Sequence, residues 1–178
     1  MGTPIAVRPA SPEDWPSAME LWQQAHIVRR NGRPLAGGQV ERALRRLQDA
    51  KTLLLVAEDQ DVQLGGQKPP AEALVGTALG VQGREDDGAG PPLPGLLHIS
   101  MVSVAPDLWG RHIGRRLIES LLSEAGSLAY DRAQLWTHAD NLRANRLYRV
   151  MGFRRSGRVR IDDWGELIVH YHRPIPSP

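Results

Sequence analysis

Apolar residues recur at two different spacings along the chain, and the changes of period mark its elements. Ile5 to Arg8 reads as a short strand. Ser11-Pro12-Glu13-Asp14 then supplies a capping hydroxyl, a proline suited to the first helical position and acids for the positive end of the helix dipole, so a helix is expected to begin there. Trp15, Ala18, Trp22 and Ala25 give it one apolar stripe, and Val40, Ala43, Leu44 and Leu47 do the same for a second helix after Gly37-Gly38. Thr52 to Ala57 and Ala73 to Val81 read as strands joined through a loop containing Gly65, Gly66, Pro69 and Pro70. The stretch from Asp86 to Gly95 is richer still in Gly and Pro and is expected to be a flexible surface loop.

Leu96 to Val104 is a near-continuous apolar run, the pattern of a strand covered on both faces. A helix is expected from about Arg111 to Ala125, with Ile113, Leu117, Ile118, Leu121 and Leu122 inward. Ala133 to Thr137 reads as a strand, Asn141 to Met151 as a helix, and Phe153 to Ile161 with Glu166 to His172 as a closing hairpin around Asp162, Asp163 and Gly165. The order is therefore βααβββαβαββ. Its strand–helix–strand unit near residue 100 requires a right-handed crossover and a parallel pair, with ligands at the carboxyl ends of those strands. The chain reads as α/β (α+β), a single domain over residues 1–173 with a disordered tail at 174–178.

Composition narrows the function. At 178 residues the chain can bury a core without staples. Its apolar runs fall short of a membrane span, and MGTPIAVRPASPEDW shows no basic segment followed by an apolar one, so neither a membrane nor a secretory leader is expected and the cytoplasm is the default. The absence of cysteine excludes disulfides, thiolate metal sites and a cysteine-bound acyl intermediate. Formal net charge is +2, and the isoelectric point of about 9.4 reflects arginine content rather than charge excess. The arginines are scattered, so a nucleic-acid partner is not expected.

Two motifs carry candidate chemistry. The first is VSVAPDLWGRHIGRRL, from Val102 to Leu117: Pro106 stops a strand, Gly110 and Gly114 permit a tight turn, and a helix opens with free N–H groups and its positive end exposed, as a phosphate cradle requires. The second is N-x-x-A-x-x-L-Y-x-x-x-G-F, from Asn141 to Phe153, which puts Asn141 and Tyr148 on one side of a helix with Ala144 leaving room between them. Taken alone, it also reads as a plain amphipathic helix with Leu147 and Met151 in the core, Tyr148 half-buried and Gly152 as a cap.

In this order and spacing the two motifs resemble the GCN5-related N-acetyltransferases (GNAT superfamily), over the topology of the whole chain and most specifically from Val102 to Phe153. The resemblance implies a mixed, splayed central sheet of about seven strands flanked by about four helices, with acetyl-CoA as co-substrate and no metal. It implies that backbone groups of Val102, Ser103 and Val104 pair with the pantetheine arm. Backbone N–H groups across Gly110, Arg111, His112, Ile113, Gly114 and Arg115 would hold the pyrophosphate. Asn141 would contact the cofactor, and Tyr148 would face the thioester sulfur as general acid. Two departures stand out: Trp109 where the family usually has Gln or Arg, and His112 where it usually has glycine.

His98, on the central strand about where some family members carry an acid, is the candidate base, with His138 as its rival and Glu13, Glu20 and Asp140 weaker. No His with Asp or Glu has metal-ligand spacing; His170 and His172 share a strand face but lack a third ligand in sequence. The implied reaction is transfer of an acetyl group to a primary amine of a small molecule or peptide by direct attack in a ternary complex. A catalytically weak CoA-binding module is the alternative. The fold implies an acceptor pocket including Trp22, Arg29, Arg30 and Trp164, with only Asp162, Asp163 and Glu166 clustering as acids, and a homodimer is left open.

Overall fold

A computed structural model describes residues 4–35, 37–60 and 73–176. The expected loop around Gly65 to Pro70 lies outside them. Elements follow the expected order: β1 (Ile5–Pro9), α1 (Trp15–Arg29), α2 (Gln39–Leu47), β2 (Leu53–Asp59), β3 (Leu74–Arg84), β4 (Pro92–Val104), α3 (Ile113–Ser127), β5 (Arg132–His138), α4 (Leu142–Val150), β6 (Arg154–Ile161) and β7 (Leu167–Pro174). The strands form one mixed seven-stranded sheet in the order β1-β2-β3-β4-β5-β7-β6. Among the described residues, no helix is long and apolar enough to cross a membrane.

The chain divides into two compact units, Met1–Leu79 with Met101–Leu121, and Gly80–Ser100 with Leu122–Pro178. In the first, β1 and β2 pair antiparallel from Ile5–Asp59 to Pro9–Leu55. Ser11 precedes a short helical turn at Pro12–Asp14, and its N–H donates to the Asp14 carboxylate at 2.8 Å. That carboxylate is also gripped by Arg8 at 2.7 Å, and the second nitrogen of Arg8 pairs with buried Glu58. The Arg8 hydrogen bond holds the Asp14 carboxyl below its usual range, against the opposing effect of burial. Gly76 of β3 lets α3 approach closely: a Cβ there would meet Leu117 Cδ1 at 2.8 Å and Ile113 Cγ2 at 3.2 Å. Leu117, Ile118 and Leu121 are fully buried, as the helical spacing expects.

In the second unit β4 and β5 pair parallel from Leu96–Arg132 to Ile99–Leu135, and the register ends there while β4 goes on to Val104. β7 lies between β5 and β6, antiparallel to both. A bulge between Arg155 and Val159, with Gly157 at φ 88°, interrupts the β6 edge.

Two expectations fail. The stretch from Asp86 to Gly95 is not loop throughout: a short turn at Asp86–Gly88, closed by the Gly90 N–H to Glu85 carbonyl bond at 2.9 Å, leads into β4 at Pro92. Prolines at the start of a strand remove donors without removing the extended conformation they favour. The tail is anchored at its start: Pro174 ends β7, and Ile175 is buried with its N–H on the Asp131 carbonyl at 2.8 Å. An isolated apolar residue between prolines carries no periodicity, so its burial was not legible in sequence. Residues 177–178 lie outside the described set.

Candidate active site

The strand-to-helix turn after β4 leaves N–H groups at the start of α3 without intrahelical partners. Gly110 sits at φ 84° and His112 at φ 61°, both in the left-handed region, and the first intrahelical bond of α3 runs from the Arg116 N–H to the His112 carbonyl. The N–H groups of Ile113, Gly114 and Arg115 therefore precede that bond and point out of the helix start, where the dipole is positive. His112 pays a backbone strain of about 1 kcal/mol that a glycine would not. Trp109 has a defined task, because its indole N–H donates to the Val104 carbonyl at 2.8 Å and ties the turn to the end of β4. One acceptor of the Val102–Val104 segment is thereby engaged by the protein itself. Arg115 is exposed and paired with Glu119 one turn along at 2.7 Å.

The second motif is assembled around a residue that sequence reading passed over. Asn141 is the N-cap of α4, its Oδ1 accepting from the Ala144 N–H at 3.2 Å. Asn145, buried, donates to the carbonyls of His138 at 2.9 Å and Asn141 at 2.8 Å, and accepts from the Tyr171 hydroxyl at 2.8 Å and Arg155 at 3.2 Å. Every hydrogen-bonding capacity of this amide is filled. Its only sequence signal was a polar residue four positions after the cap, on the face that also bears Tyr148.

Tyr148 is buried, its ring 5.8 Å from Phe153 and 5.9 Å from Tyr171. Its hydroxyl has no hydrogen-bond partner among the described residues. Burial pushes the phenol well above its ordinary value of 10, and neighbouring Tyr171 adds to this. The phenol is therefore protonated at neutral pH. His98 is half-buried in the paired part of β4, opposite Gln134 of β5.

At the end of β5 three residues distant in sequence come together. His138 Nε2 lies 2.8 Å from Asp162 Oδ2 and 3.1 Å from Glu166 Oε2. Spacing along the chain gave no reason to pair them; the β6–β7 turn does, since Asp162 Oδ1 accepts the N–H groups of Trp164 and Glu166, each at 2.9 Å. Burial opposes ionisation of Asp162, yet these N–H donors and His138 hold its carboxyl below the usual range. The ligand atoms of the three all lie within 4.8 Å of one another, a set that a divalent cation could use and that the His–carboxylate bonds already satisfy. Of the expected acceptor-pocket residues, Trp164 stands beside His138, ring centroids 6.3 Å apart. Arg30 is buried instead, donating to the Pro34 carbonyl at 2.9 Å to close the end of α1, and Trp22 packs in the core. Glu13, Glu20 and Asp140 are exposed.

Residues 14–153, which contain both motifs, match the model of the Acetyltransferase (GNAT) family. The chain belongs to this family. This GNAT chain is 40% identical over 83 residues to the N-alpha-acetyltransferase RimI of Mycobacterium tuberculosis, a match covering 46% of the chain and 49% of that protein. It spans less than half the length of the curated relatives it matches. The ribosomal-protein-S18-alanine N-acetyltransferase of Escherichia coli superposes with a TM-score of 0.69 at 18% identity, covering 98% of this chain and 96% of that one. A chain of the NatC complex bound to Gag peptide and CoA superposes with a TM-score of 0.70 at 17% identity, covering 97% and 99%. At such identities the likeness shows the fold, and the seven-stranded mixed sheet with four helices is the GNAT fold.

Proposed function

We propose that residues 1–173 act as one acetyltransferase domain that moves the acetyl group of acetyl-CoA onto a primary amine of a small molecule or peptide, by direct attack in a ternary complex. The observation that carries this reading is the β4 strand continuing to Val104 past its last registered pair at Ile99, straight into the turn that opens α3. Backbone groups of Val102, Ser103 and Val104 would hold the pantetheine arm, with the Val104 carbonyl sharing its second lone pair. N–H groups from Gly110 to Arg115 would hold the pyrophosphate, and the Asn141 amide nitrogen a further polar group of the cofactor.

In the proposed reaction His98 accepts a proton from the acceptor ammonium, directly or through water, and the freed amine attacks the thioester carbonyl. The C–N bond forms, the C–S bond breaks, and the departing thiolate takes the proton of the Tyr148 hydroxyl. The phenolate regains a proton from the nitrogen that has become an amide, so the step releases acetylated amine, CoA thiol and the proton left on His98. With no cysteine in the chain, no thiol is available for an acyl-enzyme intermediate.

A CoA-binding module without transfer is the second reading, favoured by His112 standing at φ 61° where a phosphate approaches the backbone. Calorimetry with CoA, followed by thiol release from acetyl-CoA across amino acids, polyamines, aminoglycosides and peptide N-termini, separates the two. Release above hydrolysis with any amine supports transfer; tight CoA binding with none supports the module, and no binding rejects both.

A further inference from the structure

The strand registers of the second unit place Arg160 of β6, Ile168 of β7 and His138 of β5 in one row. Residues paired in this way share a face of the sheet, so Arg160 stands two strands, about 10 Å, from His138 at the carboxyl end of β5. Trp136, two residues before His138, is on the same face. The Arg160 guanidinium carbon lies 4.7 Å from the centroid of its ring and that of Arg158 lies 5.3 Å away.

These two arginines differ in what answers their charge. Arg158 is paired with Asp87. Arg160 has the Trp136 ring and, among the described residues, no carboxylate. Two of the acids that follow it in sequence, Asp162 and Glu166, are spent on His138, and Asp162 on two backbone N–H groups as well. A cationic acceptor would have to displace His138 to reach them. An anion needs to displace nothing from Arg160. His170, its ring tilted against Trp136 at a centroid distance of 5.0 Å, is pulled down to about 4 by burial first and then by Arg158 and His172.

We infer that the acceptor amine carries an anionic group, a carboxylate or a phosphate, which the Arg160 guanidinium receives while stacked on Trp136. Stacking fixes the plane of the fork without occupying its N–H donors, so both remain available for bidentate contact at reduced entropic cost. Ammonium and anion would then be read at separate places, the ammonium at His98 and the anion at Arg160. This inference rests on the acetyl transfer proposed above, and it excludes polyamines and aminoglycosides as the preferred acceptors.

The test compares matched amines: O-phosphoethanolamine with ethanolamine, and amino acids with their α-carboxamides. Wild type should favour the anionic member of at least one pair by roughly 10- to 100-fold in kcat/KM, and Arg160→Ala should bring that ratio toward one through KM, with Arg160→Lys between them. The pair that shows the preference tells phosphate from carboxylate. Equal use of anionic and neutral amines by wild type, or an unchanged ratio in Arg160→Ala, overturns the inference. If no amine is acetylated, the transfer reading fails, and calorimetric binding of O-phosphoethanolamine or glutamate decides Arg160 separately: binding lost in the variant supports the site, while equal or absent binding rejects it.

Discussion

The hydroxyl of Tyr171 donates to Asn145 Oδ1 at 2.8 Å, while Tyr148, its ring 5.9 Å away, keeps its own hydroxyl without a partner among the described residues. Two buried phenols in contact thus have different work. One completes an amide hub, and the other is the proposed general acid.

Replacing them separately tests that division. Tyr148→Phe keeps the ring against Phe153 and Tyr171, so folding and CoA affinity should change little while kcat falls on the order of 10- to 1,000-fold. Tyr171→Phe should leave kcat within a few-fold and lower stability by about 1 to 2 kcal/mol, read by chemical denaturation. Since burial raises the Tyr148 phenol above 10, no loss of activity below that pH should trace to it. A falling limb near pH 8 that disappears in Tyr148→Phe would contradict the assignment.

Asn145 joins the end of β5, the cap of α4, β6 and β7 through four bonds. Asn145→Ala strands buried donors and acceptors on all of them and should cost about 2 to 4 kcal/mol. Urea unfolding of the purified variant measures this, and a cost under 0.5 kcal/mol would mean that the hub is dispensable.

The turn before α3 makes a third prediction. Gly114→Glu places a carboxylate among the N–H groups of the cradle and should abolish CoA binding by calorimetry. His112→Gly relieves the left-handed strain and opens the backbone, so CoA should bind as tightly as to wild type or several-fold more tightly. Weaker binding in His112→Gly would show instead that the imidazole contributes a donor.

His170 gives stability a pH dependence of definite sign. Its folded-state value near 4 lies below the ordinary 6.5, so between these the unfolded chain binds more protons. Stability from this group is complete above pH 6.5 and declines as pH falls toward 4, by on the order of 1 to 3 kcal/mol. Thermal unfolding of wild type and His170→Gln across that window should diverge accordingly. Asp14 and Asp162, whose carboxyls are held below their usual range, lose their contributions lower still, as pH falls below about 4.

What the sequence determined by itself was the order of elements and the positions of both motifs. Spacings such as Ile113, Leu117, Ile118 and Leu121, and punctuation such as Ser11-Pro12 or Gly110, act over a few residues, and local backbone physics enforces them. The tertiary structure alone decided that His138 meets Asp162 and Glu166, that Asn145 serves four segments, and that Arg160 rests on Trp136. It also showed Arg30 closing a helix end and Ile175 held in the core. Each of these depends on which strands become neighbours. The insertion of β7 between β5 and β6 is a long-range choice governed by burial and register, and a one-residue slip in that register would turn Arg160 and Trp136 to opposite faces.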